Sequence, residues 1–202
     1  MTIKALFPIL GLVILFSSCS KQNTDNPSSS SGYYYEATIG GVTYKETVTN
    51  SNGYIAGSTG GANDDAIFGS SIAPIAEPIP ANETALGIGK GIFHNFSDET
   101  TDAEFKSFFN PGTYSFSTPG SYQGITVSWM DKSGNYWSTD NDPATQSGST
   151  FTITKVNDGP VSLNQVYYVE VTATFNCTLY DLSGNSKQLT NGKYFGLFGK
   201  IR

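Results

Sequence analysis

Gln165 to Asp181 is the clearest long strand or strand pair, and from Val169 to Leu179 apolar and polar side chains alternate without a break. Val169, Val171, Ala173, Phe175, Cys177 and Leu179 fall on one side, and Glu170, Thr172, Thr174, Asn176 and Thr178 on the other. A period of two describes an extended strand with one dry and one wet face, the signature of an antiparallel sheet, and it is incompatible with a helix. Ile125, Val127 and Trp129 against Thr126 and Ser128 repeat it, as do Phe151 and Ile153 against Thr152 and Thr154. Tyr33 to Ile39 and Val42 to Thr47 flank Gly40-Gly41, a two-residue hairpin signal because both turn positions need positive φ. Asp131-Lys-Ser-Gly-Asn135 and Asp181-Leu-Ser-Gly-Asn185 each follow a strand. Asp opening a turn and Gly in a left-handed position account for both as hairpin turns. Neither continues to the distant Glu that a calcium-binding helix–loop–helix needs.

These patterns predict an all-β fold, an antiparallel β-sandwich with one short helix; a β-barrel is the alternative. An α/β architecture would instead interleave helices of 10–15 residues between its strands. The composition agrees: charged residues are 14% of the 202, against roughly 25% in typical soluble domains. The one helix is expected after Thr101-Asp-Ala-Glu104, which has capping-box spacing. Phe105, Phe108 and Phe109 then form an apolar stripe, and Asn110-Pro111-Gly112 ends it. Residues 50–65 and 138–149, rich in Ser, Thr, Gly and Asn, read as loops. Gly87-Ile-Gly-Lys-Gly91 lacks phosphate-loop spacing and reads as a strand with one bare face, where a ring or another backbone can approach closely.

The N-terminus predicts an address rather than a structure. Lys4 precedes an apolar run from Ala5 to Phe16, then Ser17-Ser18 and Cys19. The run is too short to span about 30 Å of hydrocarbon, and a basic start before a short apolar core reads as a secretory signal over residues 1–18. With the Cys in place it resembles a bacterial lipoprotein signal, though Phe16 stands where Leu is usual. That resemblance implies cleavage before Cys19, diacylation of its thiol and, by way of Ser20, sorting to the outer membrane. Residues 19–32 hold no apolar run to bury and are expected to be a flexible Ser-rich tether with a reach of about 20 Å. Residues 33–202 would form the folded domain. Losing Lys4 with the signal takes the net charge from −6 to −7, so anchoring is expected from the acyl chains and not from charge.

The candidate chemistry is sparse. A net charge of −6 with a single Arg excludes a phosphate-backbone binder, so no nucleic-acid partner is expected. The lone histidine, His94, has no nucleophile-elbow serine to serve, and Asp98, Glu99, Asp102 and Glu104 near it read as solvated or helix-first-turn carboxylates. Asp64-Asp65 and Asp140-Asn-Asp142 read as loop tips. With Cys19 acylated, Cys177 is the remaining thiol and its strand neighbours make it a small core hydrophobe. No catalytic residue, metal ligand or cofactor is assigned. The aromatic residues around the first turn carry the one binding candidate. Trp129, Tyr136 and Trp137, with Tyr122 nearby, could stack on a sugar, although Trp129 shares its face with Ile125 and Val127 and reads as core.

Several segments together resemble the small β-rich lipoproteins of unknown function found in Bacteroidota-type bacteria. They are Tyr35-Glu-Ala-Thr-Ile-Gly-Gly-Val-Thr-Tyr44, Asn110-Pro-Gly-Thr-Tyr-Ser-Phe116, Gly148-Ser-Thr-Phe-Thr-Ile-Thr-Lys155, Val171 to Tyr180 and Leu189 to Phe195. The resemblance implies no activity. The expectation is a lipid-anchored envelope protein, noncatalytic, with a binding or structural role; the alternative is an accessory carbohydrate-binding surface lipoprotein. Its partners would be the membrane, through the lipid, and a glycan or another envelope protein.

Overall fold

The computed structural model describes residues 32–49, 51–59, 64–76, 78–141, 145–162 and 165–201. The signal, Cys19, nearly all of the 19–32 segment and Asp142 lie outside the described residues. The chain is all-β and antiparallel, with one short helix. Its strands are β1 (Tyr34–Ile39), β2 (Val42–Thr47), β3 (Tyr54–Thr59), β4 (Asp64–Pro74), β5 (Ala85–Phe96), β6 (Gly112–Tyr114), β7 (Gly124–Met130), β8 (Tyr136–Ser138), β9 (Thr150–Asp158), β10 (Val166–Tyr180) and β11 (Ser186–Ile201). Helix α1 (Asp102–Phe108) lies between β5 and β6.

These strands form one hydrogen-bonded sheet in the order β2-β1-β11-β10-β8-β7-β5-β4-β3. At 15 residues β10 is long enough to serve two neighbours on one edge, β9 from Val169 to Asn176 and β8 at Tyr180. The sheet curls until its ends face each other, nearly closing into a barrel. Ser70 of β4 meets the Tyr194 hydroxyl of β11 at 2.6 Å. A Cβ on Gly199 of β11 would stand 2.9 Å from Ser58 Oγ of β3, so that close approach requires glycine. The all-β antiparallel expectation holds, and the single curled sheet has the barrel-like shape of the stated alternative.

The alternation in β10 sorts as expected, with Val169, Val171, Ala173, Phe175, Cys177 and Leu179 all buried. Trp129 reaches across the interior to Tyr44 of β2, with ring centroids 5.0 Å apart. Gly40 and Gly41 take φ of 57° and 84° in the β1–β2 turn. The helix forms where the capping box predicts: Glu104 N–H donates to Thr101 Oγ1, and the Glu104 carboxylate accepts from Thr101 N–H at 2.8 Å. Its Phe105 and Phe109 are fully buried, closing one end of the curled sheet against Phe68 and Phe198. Lys200 fastens it there, donating to Thr100 O at 2.7 Å and pairing with Asp102.

The loop expectations are corrected in part. Residues 54–59, read as loop, are strand β3; Asp64-Asp65, read as a loop tip, open β4, and Ser138 ends β8. Ala56, Gly57 and Ser58 encode little strand preference of their own; their pairing with β4 and the close approach of β11 impose it.

Candidate functional site

The aromatic residues singled out from the sequence do not form a ligand platform. Trp129 and Trp137 are cross-strand neighbours facing inward, 1% and 7% exposed. Lys187 Nζ lies 3.9 Å from the Trp137 ring centroid and 5.1 Å from that of Trp129, closing the end of the core opposite α1. Tyr136 is half-buried, and desolvation raises its hydroxyl above the ordinary range. Tyr122 is exposed but precedes Gly124, at the far end of β7 from Met130 and the turn, about 20 Å away by strand rise. Residue spacing does place Trp129 and Trp137 side by side, but facing into the barrel, where core packing occupies both rings.

The turns themselves are closed by their own side chains. Asp131 Oδ1 accepts from the Ser133 and Asn135 backbones at 2.9 and 3.0 Å, and Asp181 does the same at 2.9 and 2.8 Å. His94 Nδ1 lies 2.8 Å from Asp65 Oδ1 with both side chains 60% exposed, a hydrogen-bonded contact standing in water. Cys177 is buried, and desolvation pushes its thiol far above the ordinary range, so it stays a protonated core hydrophobe.

The concave site lies instead on the outer wall. A groove of about 460 Å³ crosses β2, β1, β11, β10 and β9, lined by Glu36, Thr38, Thr43, Thr150, Thr174, Asn176, Asn191 and Lys193, with Ala37, Phe175 and Gly192 at its floor. Its cause is a single irregularity. Glu36 pairs with Lys193 and Thr38 with Thr190, while Phe175 pairs with Gly192 and Cys177 with Leu189. So β11 carries one extra residue against both neighbours at the same level, a β-bulge. Asn191 takes it up in a left-handed conformation, φ 54°. Asn176 pins the bulge, accepting from Asn191 N–H at 2.9 Å. Gly192 follows because a Cβ there would stand 2.6 Å from Phe175 O and 2.7 Å from its ring.

Hydroxyls and amides dominate the lining. Thr38 and Thr43 hydroxyls lie 3.1 Å apart, and one carboxylate, Glu36, is bridged by Lys193 at 3.2 Å and Lys45 at 3.4 Å. Hydrogen bonds from those two ammoniums hold the Glu36 carboxyl below its usual range, so it stays ionised and is unsuited to donating a proton at neutral pH. The groove offers many hydrogen-bonding groups and a paired charge: equipment for holding a polar molecule. Sequence reasoning missed these residues, though Asn191-Gly192 inside a strand pattern signals a bulge. Comparison with protein-family models, with curated proteins and with solved structures finds no match for this chain, so the reading of its function rests on this geometry.

Proposed function

We propose that this chain is a lipid-anchored protein of the cell envelope that binds a polar ligand in the outer-wall groove without transforming it. The leader ending at Cys19 and the Ser-rich tether support the anchor. The observation that carries the binding role is the bulge in β11, which turns an otherwise regular strand face into a depression ringed by Thr and Asn side chains. A second reading, accessory carbohydrate binding, is favoured by that lining: threonine hydroxyls and the Asn176 and Asn191 amides match the alternating donors and acceptors of a sugar.

Calorimetric titration of the folded domain with neutral and acidic oligosaccharides tests the groove. Thr174→Arg fills it from an exposed position and should weaken binding at least tenfold while leaving the melting temperature within about 2 °C. A panel without heat, or binding unaltered by Thr174→Arg, rejects the reading. The anchor has its own test. Mass spectrometry of native protein should find a mature N-terminus at acylated Cys19, and Cys19→Ser should move the protein from the membrane to the soluble fraction. An unmodified leader retained on the native chain refutes it.

A further inference from the structure

Lys90 serves neither the groove nor the ion pairs that fasten the fold. It lies on the inner face of β5, opposite Phe68 of β4 and Ile125 of β7, both fully buried. Only 6% of it is exposed, and its Nζ is wedged 3.9 Å from the ring centroid of Phe108 in α1 and 4.2 Å from that of Tyr114 in β6. The other two inward lysines each have an oxygen partner: Lys200 has Thr100 O and Asp102, and Lys187 has Asp131. Among the described residues no acceptor or carboxylate bonds Lys90. On the elements packed against it, Lys106 pairs with Asp158, Asp102 with Lys200, Glu104 with Thr101 and Asp65 of β4 with His94 of β5, while Asp64 lies exposed at the start of β4, opposite Phe96; the ionisable side chain facing Lys90 is Tyr114. Trp129 Nε1 is the one fully enclosed side-chain polar atom without a partner among the described residues, so Lys90 Nζ keeps contact with water.

An ammonium in such a place loses hydration and gains in exchange only the attraction of two ring faces. Burial accordingly lowers its proton affinity to a pKa of about 8. We propose that Lys90 is a covalent capture site for small, flat or short-chain aldehydes, its amine forming an imine between the rings of Phe108 and Tyr114. The neutral amine's lone pair adds to the carbonyl carbon, and a proton passes from nitrogen to oxygen through water to give a carbinolamine. Loss of that hydroxyl as water leaves the C=N bond, with no change of oxidation state. The two rings favour an apolar substituent on the aldehyde over a charged one. Desolvated lysines in apolar surroundings are the usual nucleophiles for such chemistry.

The test is competitive labelling of the full mature chain with propanal or benzaldehyde at pH 7. Cyanoborohydride reduces each imine to a stable secondary amine, and peptide masses are followed with time. Lys45 and Lys193, half or more exposed, are internal references. A pKa near 8 gives roughly two hundredfold more free amine than an ordinary lysine at that pH, and restricted access removes part of the gain. Lys90 should therefore be modified about tenfold faster than either reference. The margin should shrink as pH approaches 10, where every lysine sheds its proton. Phe108→Leu, which readmits water, should reduce the margin at pH 7. Labelling of Lys90 no faster than Lys45 at pH 7, or a margin that grows with pH, overturns the proposal.

Discussion

Replacing Phe105 by Ala should lower the melting temperature by roughly 10 °C, the largest loss expected from any single substitution in α1. The ring is fully buried, with centroids 4.8 Å from Phe68, 5.3 Å from Phe109 and 6.2 Å from Tyr167. Truncating a buried Phe costs about 3–5 kcal/mol, from lost burial and the cavity left behind. For a domain of this size each kcal/mol is worth about 2–4 °C. The helix has only seven residues, too few to hold its own shape, so its stability comes from this apolar face. Phe108→Ala, at a half-buried position, should cost distinctly less. Thermal melts followed by circular dichroism decide the matter; a shift below about 3 °C for Phe105→Ala would mean the helix is not the plug described here.

The second large effect compares the two Asp-x-Ser-Gly-Asn turns. Their local hydrogen bonds are nearly the same, yet Asp131 is buried and also accepts from Trp137 Nε1 at 3.0 Å and Lys187 Nζ at 3.4 Å, while Asp181 stands at the surface. Burial alone would raise the Asp131 carboxyl. The hydrogen bonds from the Asn135 backbone, Trp137, the Asn135 side chain and the Ser133 backbone outweigh it and bring the value down to about 2. A folded-state value below the unfolded one stabilises the fold above pH 4, by about 2 kcal/mol at neutrality, and that stability drains away as pH falls from 4 toward 2. Asp131→Ala should therefore lose about 2–3 kcal/mol at pH 7, because it also orphans the buried indole N–H. Asp181→Ala should lose much less. At pH 2.5 the gap between the two variants should narrow, and chemical-denaturation curves at both pH values measure it. Equal losses at pH 7 would show that only the local turn matters.

How far the fold was readable depended on whether a segment's structure was set by its own residues. The faces of β10, the placement of Cys177, the capping box at Thr101 and the positive-φ glycines of the β1–β2 turn are local consequences of local chemistry, and each is as expected. Strand β3 was not legible, because Gly57 and Ser58 are strand residues by virtue of what packs on them. The groove was obscured for a related reason: its Thr and Asn residues look like the ordinary wet face of a strand until the ladder slips at Asn191. Lys90 shares its face with Leu86 and Ile88 in both sequence and structure, but the rings that isolate it come from α1 and β6, and no spacing rule announces them.

The slip in β11 also decouples two properties that usually move together. Alternation normally forbids adding or removing a single residue within a strand, since everything downstream would turn inside out. Here the step from the inward Leu189 to the inward Gly192 is already three positions, an odd number. Deleting one residue between them restores plain alternation with Tyr194, Phe198 and Lys200 still pointing inward, and flattens the recess above. Descendants of this chain could thus gain or lose the hollow by a one-codon change while their interior stays the same.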